Sequence, residues 1–285
     1  MGIRQIAVIG TGTMGRGIAY LSALAGYDTV LFDADLAALE AAKSAVESTL
    51  RKGVEKGKVS EEAAAGAAAR VQLAADLEPA VRGADLIIEA VPESFELKSD
   101  LFAQADLYCG EQTILASNTS SISISKLAGN VERRDRFVGL HFFNPPHLMK
   151  LIEIVRGERT SDATIEEVWE VAQKMGKHPI LVRDSPGFAT SRLGVAVGLE
   201  AIRMLEEGVA NAEDIDRAME LGYNHPMGPL RLTDLVGLDV RLGIAEYLAS
   251  RLGSRFDPPR LLLEMVAAGK LGRKTGQGFY SWNEE

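Results

Sequence analysis

Two polar segments, each directly behind an apolar run, hold the densest chemistry in this 285-residue sequence. Ser117-Asn118-Thr119-Ser120-Ser121 follows Thr113–Ala116, and His141-Phe142-Phe143-Asn144-Pro145-Pro146 follows Phe137–Leu140. A histidine at the end of a buried parallel strand lies beside a ligand crevice rather than in the core. Its ordinary pKa of about 6.5 suits proton exchange with an alcohol near neutral pH. Twelve residues further on, Glu153 interrupts Leu151-Ile152-Glu153-Ile154-Val155. A carboxylate inside an apolar strand needs a partner. The His141 imidazole is the natural candidate, and the pair would orient the ring and raise its basicity. The competing readings are structural: a hydrogen-bonded core histidine at 141, and a cap for a helix starting near Ile122 in the Ser117–Ser121 run.

A second constellation lies at the N-terminus. Gly10-Thr11-Gly12-Thr13-Met14-Gly15 has the spacing G-x-G-x-x-G behind the apolar run Ile6–Ile9, and Asp33 ends the next such run 23 positions after Gly10. That context predicts a dinucleotide loop. Gly10 permits the turn, Gly12 lets a pyrophosphate approach the backbone, and Gly15 lets the following helix pack on the strand. The helix N-terminus supplies free N–H groups to the phosphates. Asp33 would accept from ribose hydroxyls and repel a 2′-phosphate, which favours NAD over NADP. Glu93 follows a further strand and reads equally as a site residue or a helix-start acid. Lys98, five residues later, falls off helical ion-pair spacing and by itself reads as a solvated charge.

Other chemistry is excluded or muted. No histidine pair has metal-ligand spacing, no serine sits in G-x-S-x-G, and His147, His178 and His225 lie beside prolines in loops and turns. Cys109, the single cysteine, has no activating partner and permits no intrachain disulfide. The net charge of −9 argues against nucleic acid. Charged residues interrupt every apolar run, so no membrane span is expected. With no signal peptide evident, the expected location is the cytoplasm.

These residues need elements to position them. Strand-like runs at 4–9, 28–33, 86–90, 113–117, 137–140, 151–155 and 179–183 alternate with helical patterns at 14–25, 36–58, 61–70, 94–108 and 162–175. This predicts an α/β domain of Rossmann type with a mostly parallel sheet over residues 1–183. After Asp184-Ser185-Pro186-Gly187 only helical patterns follow, at about 188–207, 211–221, 228–237, 239–252 and 259–268, predicting an all-α domain over 184–285.

Taken together, Gly10–Gly15, Ser117–Ser121, Gly139–Pro145, Asp214–Met219, Pro226–Pro229 and Gly272-Arg-Lys-Thr-Gly-Gln-Gly-Phe-Tyr280 resemble the 3-hydroxyacyl-CoA dehydrogenases, in order and over the whole chain. The nearest look is to the stand-alone bacterial 3-hydroxybutyryl-CoA dehydrogenases. The resemblance implies oxidation of a (3S)-3-hydroxyacyl-CoA by NAD, or the reverse, with a preference for short chains. It implies His141 as general base, Glu153 as its orienting carboxylate, and Ser120 on the substrate oxygen. Asn144 would lie at nicotinamide and substrate. It places Gly10, Gly12, Thr13, Met14, Gly15, Asp33, Glu93, Lys98, Ser120, Asn144 and Lys274 at the cofactor. Thr49, Lys56 and Lys98 fall where the family contacts coenzyme A, and the basic run Arg51, Lys52, Lys56, Lys58 gives a separate electrostatic reason for phosphates there. The helical domain resembles the family's dimerisation domain, implying a homodimer. One position departs: where the family pattern has an asparagine polarising the substrate oxygen, this sequence has Ser191, which still donates a hydrogen bond. Losing such a donor costs on the order of 2.7–4 kcal/mol, so the departure bears on rate and substrate identity. Two rival readings stay open: a dehydrogenase of a sugar acid such as gulonate, which has no need of the Thr49–Lys58 helix, and a dinucleotide-binding protein without catalysis.

Overall fold

The computed structural model describes residues 2–282. The chain divides into two compact units, Met1–Ser185 and Pro186–Glu285. The first carries strands β1 (Gln5–Ile9), β2 (Asp28–Phe32), β3 (Val71–Ala74), β4 (Leu86–Glu89), β5 (Ile114–Ser117), β6 (Phe137–Phe142), β7 (Leu151–Arg156) and β8 (His178–Arg183). Between them run helices α1 (Thr13–Leu24), α2 (Leu36–Glu55), α3 (Glu61–Arg70), α4 (Leu77–Val81), α5 (Phe95–Tyr108), α6 (Ile124–Leu127) and α7 (Asp162–Lys174).

All eight strands form one sheet in the order β3-β2-β1-β4-β5-β6-β7-β8. The order reverses between β1 and β4, the switch point where open α/β sheets bind ligands. Strand interiors such as Ile6, Val8, Ile88, Ala116 and Val138 are fully buried because helices cover both faces. Polar side chains mark the helix starts: Asp35, Ser60, Ser94 and Ser161 accept from the first-turn N–H groups of α2, α3, α5 and α7.

Three features add to the sequence reading, whose mostly parallel sheet is present. The alanine-rich stretch is followed by a short edge strand, β3, which pairs with β2 and is too brief to show alternation. The neighbours β6 and β7 run antiparallel. The segment 143–150 that joins them is shorter than the dozen or more residues a parallel crossover needs, so the chain folds straight back. Finally, the helix after the serine run is α6, beginning at Ile124, and its cap is Ser123, not a residue of Ser117–Ser121.

The second unit contains α8 (Thr190–Glu206), α9 (Ala212–Gly222), α10 (Pro229–Val236), α11 (Leu238–Leu252) and α12 (Arg260–Ala267). They pack through Val195, Leu199, Ile202, Leu230, Leu238, Leu248 and Leu262. Two buried aspartates explain the C-terminal motif. Asp234 accepts from the Phe279 and Tyr280 N–H groups (both 2.9 Å) and from Trp282 Nε1 (2.8 Å). Asp216 accepts from the N–H groups of Leu230 and Arg231 and from the Tyr280 hydroxyl. A Cβ on Gly278 would overlap the Asp234 carboxylate, so glycine is required for this latch to close. Among the described residues no helix is long and apolar enough to cross a membrane.

Candidate active site

The antiparallel register sets His141 directly opposite Glu153. Their side chains meet, with Nδ1 and Oε2 2.7 Å apart, and the carboxylate is fully buried. An ionised carboxylate accepts from Nδ1–H, so proton exchange at this ring falls to Nε2. Phe143 packs against the imidazole at 4.5 Å between centroids.

The serine run is organised around Glu93. One oxygen of its carboxylate accepts from the Thr119 hydroxyl (2.6 Å), from the N–H groups of Ser120 and Ser121, and from both their hydroxyls. The other lies 3.3 Å from Lys98 Nζ. Burial pushes the Glu93 carboxyl up, but Thr119, the Lys98 charge and the two serines together hold it below its usual range. Lys98 is 1% exposed, so the expectation of a solvated charge is overturned. The helical spacing argument failed because Glu93 precedes the Ser94 cap of α5 and is not on the helix at all. Lys98 also binds Glu89 at 2.5 Å and the Val91 carbonyl at 3.1 Å, while Ser117 donates to the second Glu89 oxygen at 2.6 Å. Burial lifts the Glu89 carboxyl despite these partners. The sequence reading gave Glu89 no role. A lone acid ending a wholly apolar strand was the signal, and its partners come from two other elements. Asn118 Oδ1 accepts from the Phe142 N–H at 2.9 Å and ties the serine run to the end of β6. A cavity of about 340 Å³ gathers Met14, Glu93, Lys98, Ser120, His141 and Asn144 on its walls.

The glycine loop has the geometry of a dinucleotide cradle. Gly10 has φ +93°, and a Cβ there would sit 2.8 Å from the Ala90 backbone. A Cβ on Gly15 would overlap the Gly10 carbonyl, whereas one on Gly12 meets nothing within 4 Å and faces open space. Gly12 caps α1 with no side-chain hydrogen bond, leaving the helix N–H groups for an anion. The adjoining cavity, about 640 Å³, is lined by Gly10, Gly12, Thr13, Met14 and Asp33. Asp33 Oδ2 accepts from the Thr11 N–H (2.7 Å) and hydroxyl (2.8 Å), and Oδ1 from the Asp35 N–H (3.0 Å). Burial raises this carboxyl, but those bonds more than offset it and keep it ionised. These residues fit NAD: a helix end and bare backbone for the pyrophosphate, and an anionic acceptor for ribose hydroxyls. Thr11, which braces Asp33, was not recognised from sequence.

A third cavity, about 280 Å³, is lined by Thr13, Arg16, Tyr20, Thr49, Lys52 and His147. Thr49 Oγ1 donates to the Ala45 carbonyl (2.8 Å). Lys56 is not on the wall, yet it acts on His147. Burial first, then the charges of Lys177, Lys58 and Lys56, push the His147 imidazole down. The plain loop histidine of the sequence reading thus sits among cations. Two further expected site residues belong to the helical unit. Ser191 lies in the first turn of α8, and Lys274 is gripped by both oxygens of Asp239 (2.5 and 2.6 Å). Among the described residues no group of His, Cys, Asp and Glu is placed to hold a metal.

A nucleotide cradle at the switch point, with a carboxylate-held imidazole at the carboxyl edge of the same sheet, defines an NAD-linked oxidoreductase of alcohols. The chain belongs to the 3-hydroxyacyl-CoA dehydrogenase family: residues 5–185 match its NAD-binding domain and residues 187–282 its C-terminal domain. It is similar to a probable 3-hydroxybutyryl-CoA dehydrogenase of Bacillus subtilis, at 44% identity covering 100% of this chain and 99% of the relative. It is also similar to the human mitochondrial hydroxyacyl-coenzyme A dehydrogenase, at 40% identity covering 98% and 91%. Among solved structures, (S)-3-hydroxybutyryl-CoA dehydrogenase from Ralstonia eutropha superposes with a TM-score of 0.95 at 43% identity, covering 99% of this chain and 100% of that one.

Proposed function

We propose that the chain oxidises a short (3S)-3-hydroxyacyl-CoA, such as 3-hydroxybutyryl-CoA, to the 3-ketoacyl-CoA and catalyses the reverse. The His141–Glu153 pair carries this reading. NAD, when bound, supplies the hydride acceptor. His141 Nε2 takes the proton of the C3 hydroxyl as hydride leaves C3, and in reduction returns it. Buried Glu153 keeps the ring oriented and stabilises the imidazolium that forms. Ser120 and Asn144, on the same cavity as His141, are the groups in place to hold the substrate oxygen and the nicotinamide. Glu93 and Lys98 shape that wall. Gly10, Gly12, Thr13, Met14, Gly15 and Asp33 hold the dinucleotide. Thr49, Lys52 and Lys56 take the coenzyme A moiety, supported by the cation cluster at His147. By sequence position alone, Lys274 and Ser191 of the helical unit match the family's cofactor and substrate-oxygen contacts. In this reading the helical unit is also the dimerisation surface, and the protein acts in the cytoplasm. A monomeric mass by light scattering would remove the dimer from this reading.

The test is NADH oxidation with acetoacetyl-CoA, run beside NADPH and beside Ser191→Asn. Turnover with NADH and not NADPH supports the assignment. Recovery only in Ser191→Asn means that the native substrate differs. No turnover in either variant refutes the assignment and returns attention to a sugar acid or to binding without catalysis.

A further inference from the structure

Lys177 lies in the turn between α7 and β8 and is 7% exposed. Among the described residues no carboxylate pairs with it. Its ammonium donates instead to two backbone carbonyls, Pro146 at 2.5 Å and Met149 at 2.7 Å. Both belong to the segment joining β6 to β7. Burying an uncompensated ammonium is unfavourable, and burial pushes this amine below its ordinary range. A surface lysine left in water would avoid that penalty, so the position calls for a structural return.

That return is the turn itself. The Pro145 carbonyl accepts from the Leu148 and Met149 N–H groups, closing a tight loop. Pro145 and Pro146 have no N–H to donate, so the turn cannot hold itself through a regular ladder. On its other side Pro146 presses on α1, where a Cβ on Gly17 would come within 2.8 Å of the proline ring. The turn is therefore clamped between Gly17 and Lys177. Its residues serve two cavities: Asn144 faces the one that holds His141, and Pro145, Pro146 and His147 wall the one that holds Thr49 and Lys52.

We infer that Lys177 is a positioning residue for the acyl-CoA substrate: its ammonium fixes the 145–149 turn by two carbonyls and so sets the wall between the Thr49–His147 cavity and the His141 cavity. The role of that cavity rests on the proposed function. The cavity that takes the phosphates and ribose of the dinucleotide has none of residues 145–149 on its walls, so acyl-CoA binding should respond far more than NADH binding.

The test compares Lys177→Met, which removes all donors, with Lys177→Arg, which keeps charge and donors. Three quantities are read: KM for acetoacetyl-CoA, Kd for NADH, and deuterium uptake of the peptide spanning residues 145–150. Expected for Lys177→Met are a KM raised at least tenfold, NADH affinity within twofold of wild type, and faster exchange confined to that peptide. Lys177→Arg should recover at least half of the KM change on a logarithmic scale. If Lys177→Met is not recovered folded, Lys177→Gln, which keeps a shorter donor, is read in the same way. A KM within twofold of wild type with unchanged exchange overturns the inference. Equal loss of NADH and acyl-CoA binding also overturns it, because that is the mark of a general structural role. If the wild type does not turn over acetoacetyl-CoA, the functional proposal fails, and exchange alone then decides whether Lys177 holds the turn.

Discussion

Replacing Glu153 with glutamine isolates the electrostatic part of the His141–Glu153 pair. The two side chains are nearly isosteric, so the packing around a fully buried position is retained, and an amide oxygen can still accept from Nδ1. What disappears is the negative charge 2.7 Å from the ring nitrogen. Unit charges about 4 Å apart interact by about 4 kcal/mol at an effective dielectric constant of about 20. If the ring carries about half of the transferred proton at the transition state, about 2 kcal/mol of stabilisation is lost. At about 1.36 kcal/mol per tenfold, that is about a 30-fold fall in kcat. The assay is steady-state NADH formation from (S)-3-hydroxybutyryl-CoA at saturating substrates, with NAD affinity measured separately. The expected result is a kcat lowered 10- to 100-fold with NAD Kd unchanged. A kcat within threefold of wild type, in a variant that melts normally, would refute the assignment of Glu153 as the group that stabilises the charged ring.

Three further outcomes follow from named contacts. Asp33→Asn keeps an acceptor for Thr11 but removes the charge that repels a 2′-phosphate, so the NADH-to-NADPH ratio of kcat/KM should fall at least tenfold. An unchanged ratio would show that another group sets the preference. Asp234→Ala orphans three donors of the C-terminal latch and should cost about 3 kcal/mol, lowering Tm by roughly 6–12 °C in calorimetry; a shift under 2 °C would show that the latch is not under load. Glu93 is held below its ordinary range, so the stability it adds is present above about pH 4.3, the unfolded value, and is lost as pH falls through the lower native value. Its side chain is 39% exposed, so the effect is modest. Glu93→Gln should cost about 1 kcal/mol in urea titrations at pH 7, with the gap to wild type closing below pH 4. A gap that persists at pH 3 would count against this linkage.

The glycine loop and its acid were legible in the sequence because their geometry is local: a strand, a turn that demands positive φ at Gly10, and a helix follow one another within a few residues. The His141–Glu153 pair was legible for a related reason. A polar residue in each of two apolar strands joined by a short link has few partners available, and the antiparallel register supplied the contact. The all-helical second unit was likewise announced by the change in periodicity after Gly187.

The rest was decided by tertiary structure. Glu93 could not be separated from a helix-start acid until the fold brought Thr119, Ser120 and Ser121 to it from another strand end. Lys98 looked like a surface charge because spacing along one helix says nothing of a carboxylate on β4 beneath it. The Gly272–Tyr280 motif served as a family marker, but its physical meaning lies in Asp216 and Asp234, tens of residues earlier. Lys177 carried no signal at all, since a lysine that holds carbonyls and one that sits in water have the same local sequence. Local order follows from the backbone preferences of neighbouring residues. The partners of a buried charge are chosen by the packing that removes it from water, and that packing belongs to the whole chain.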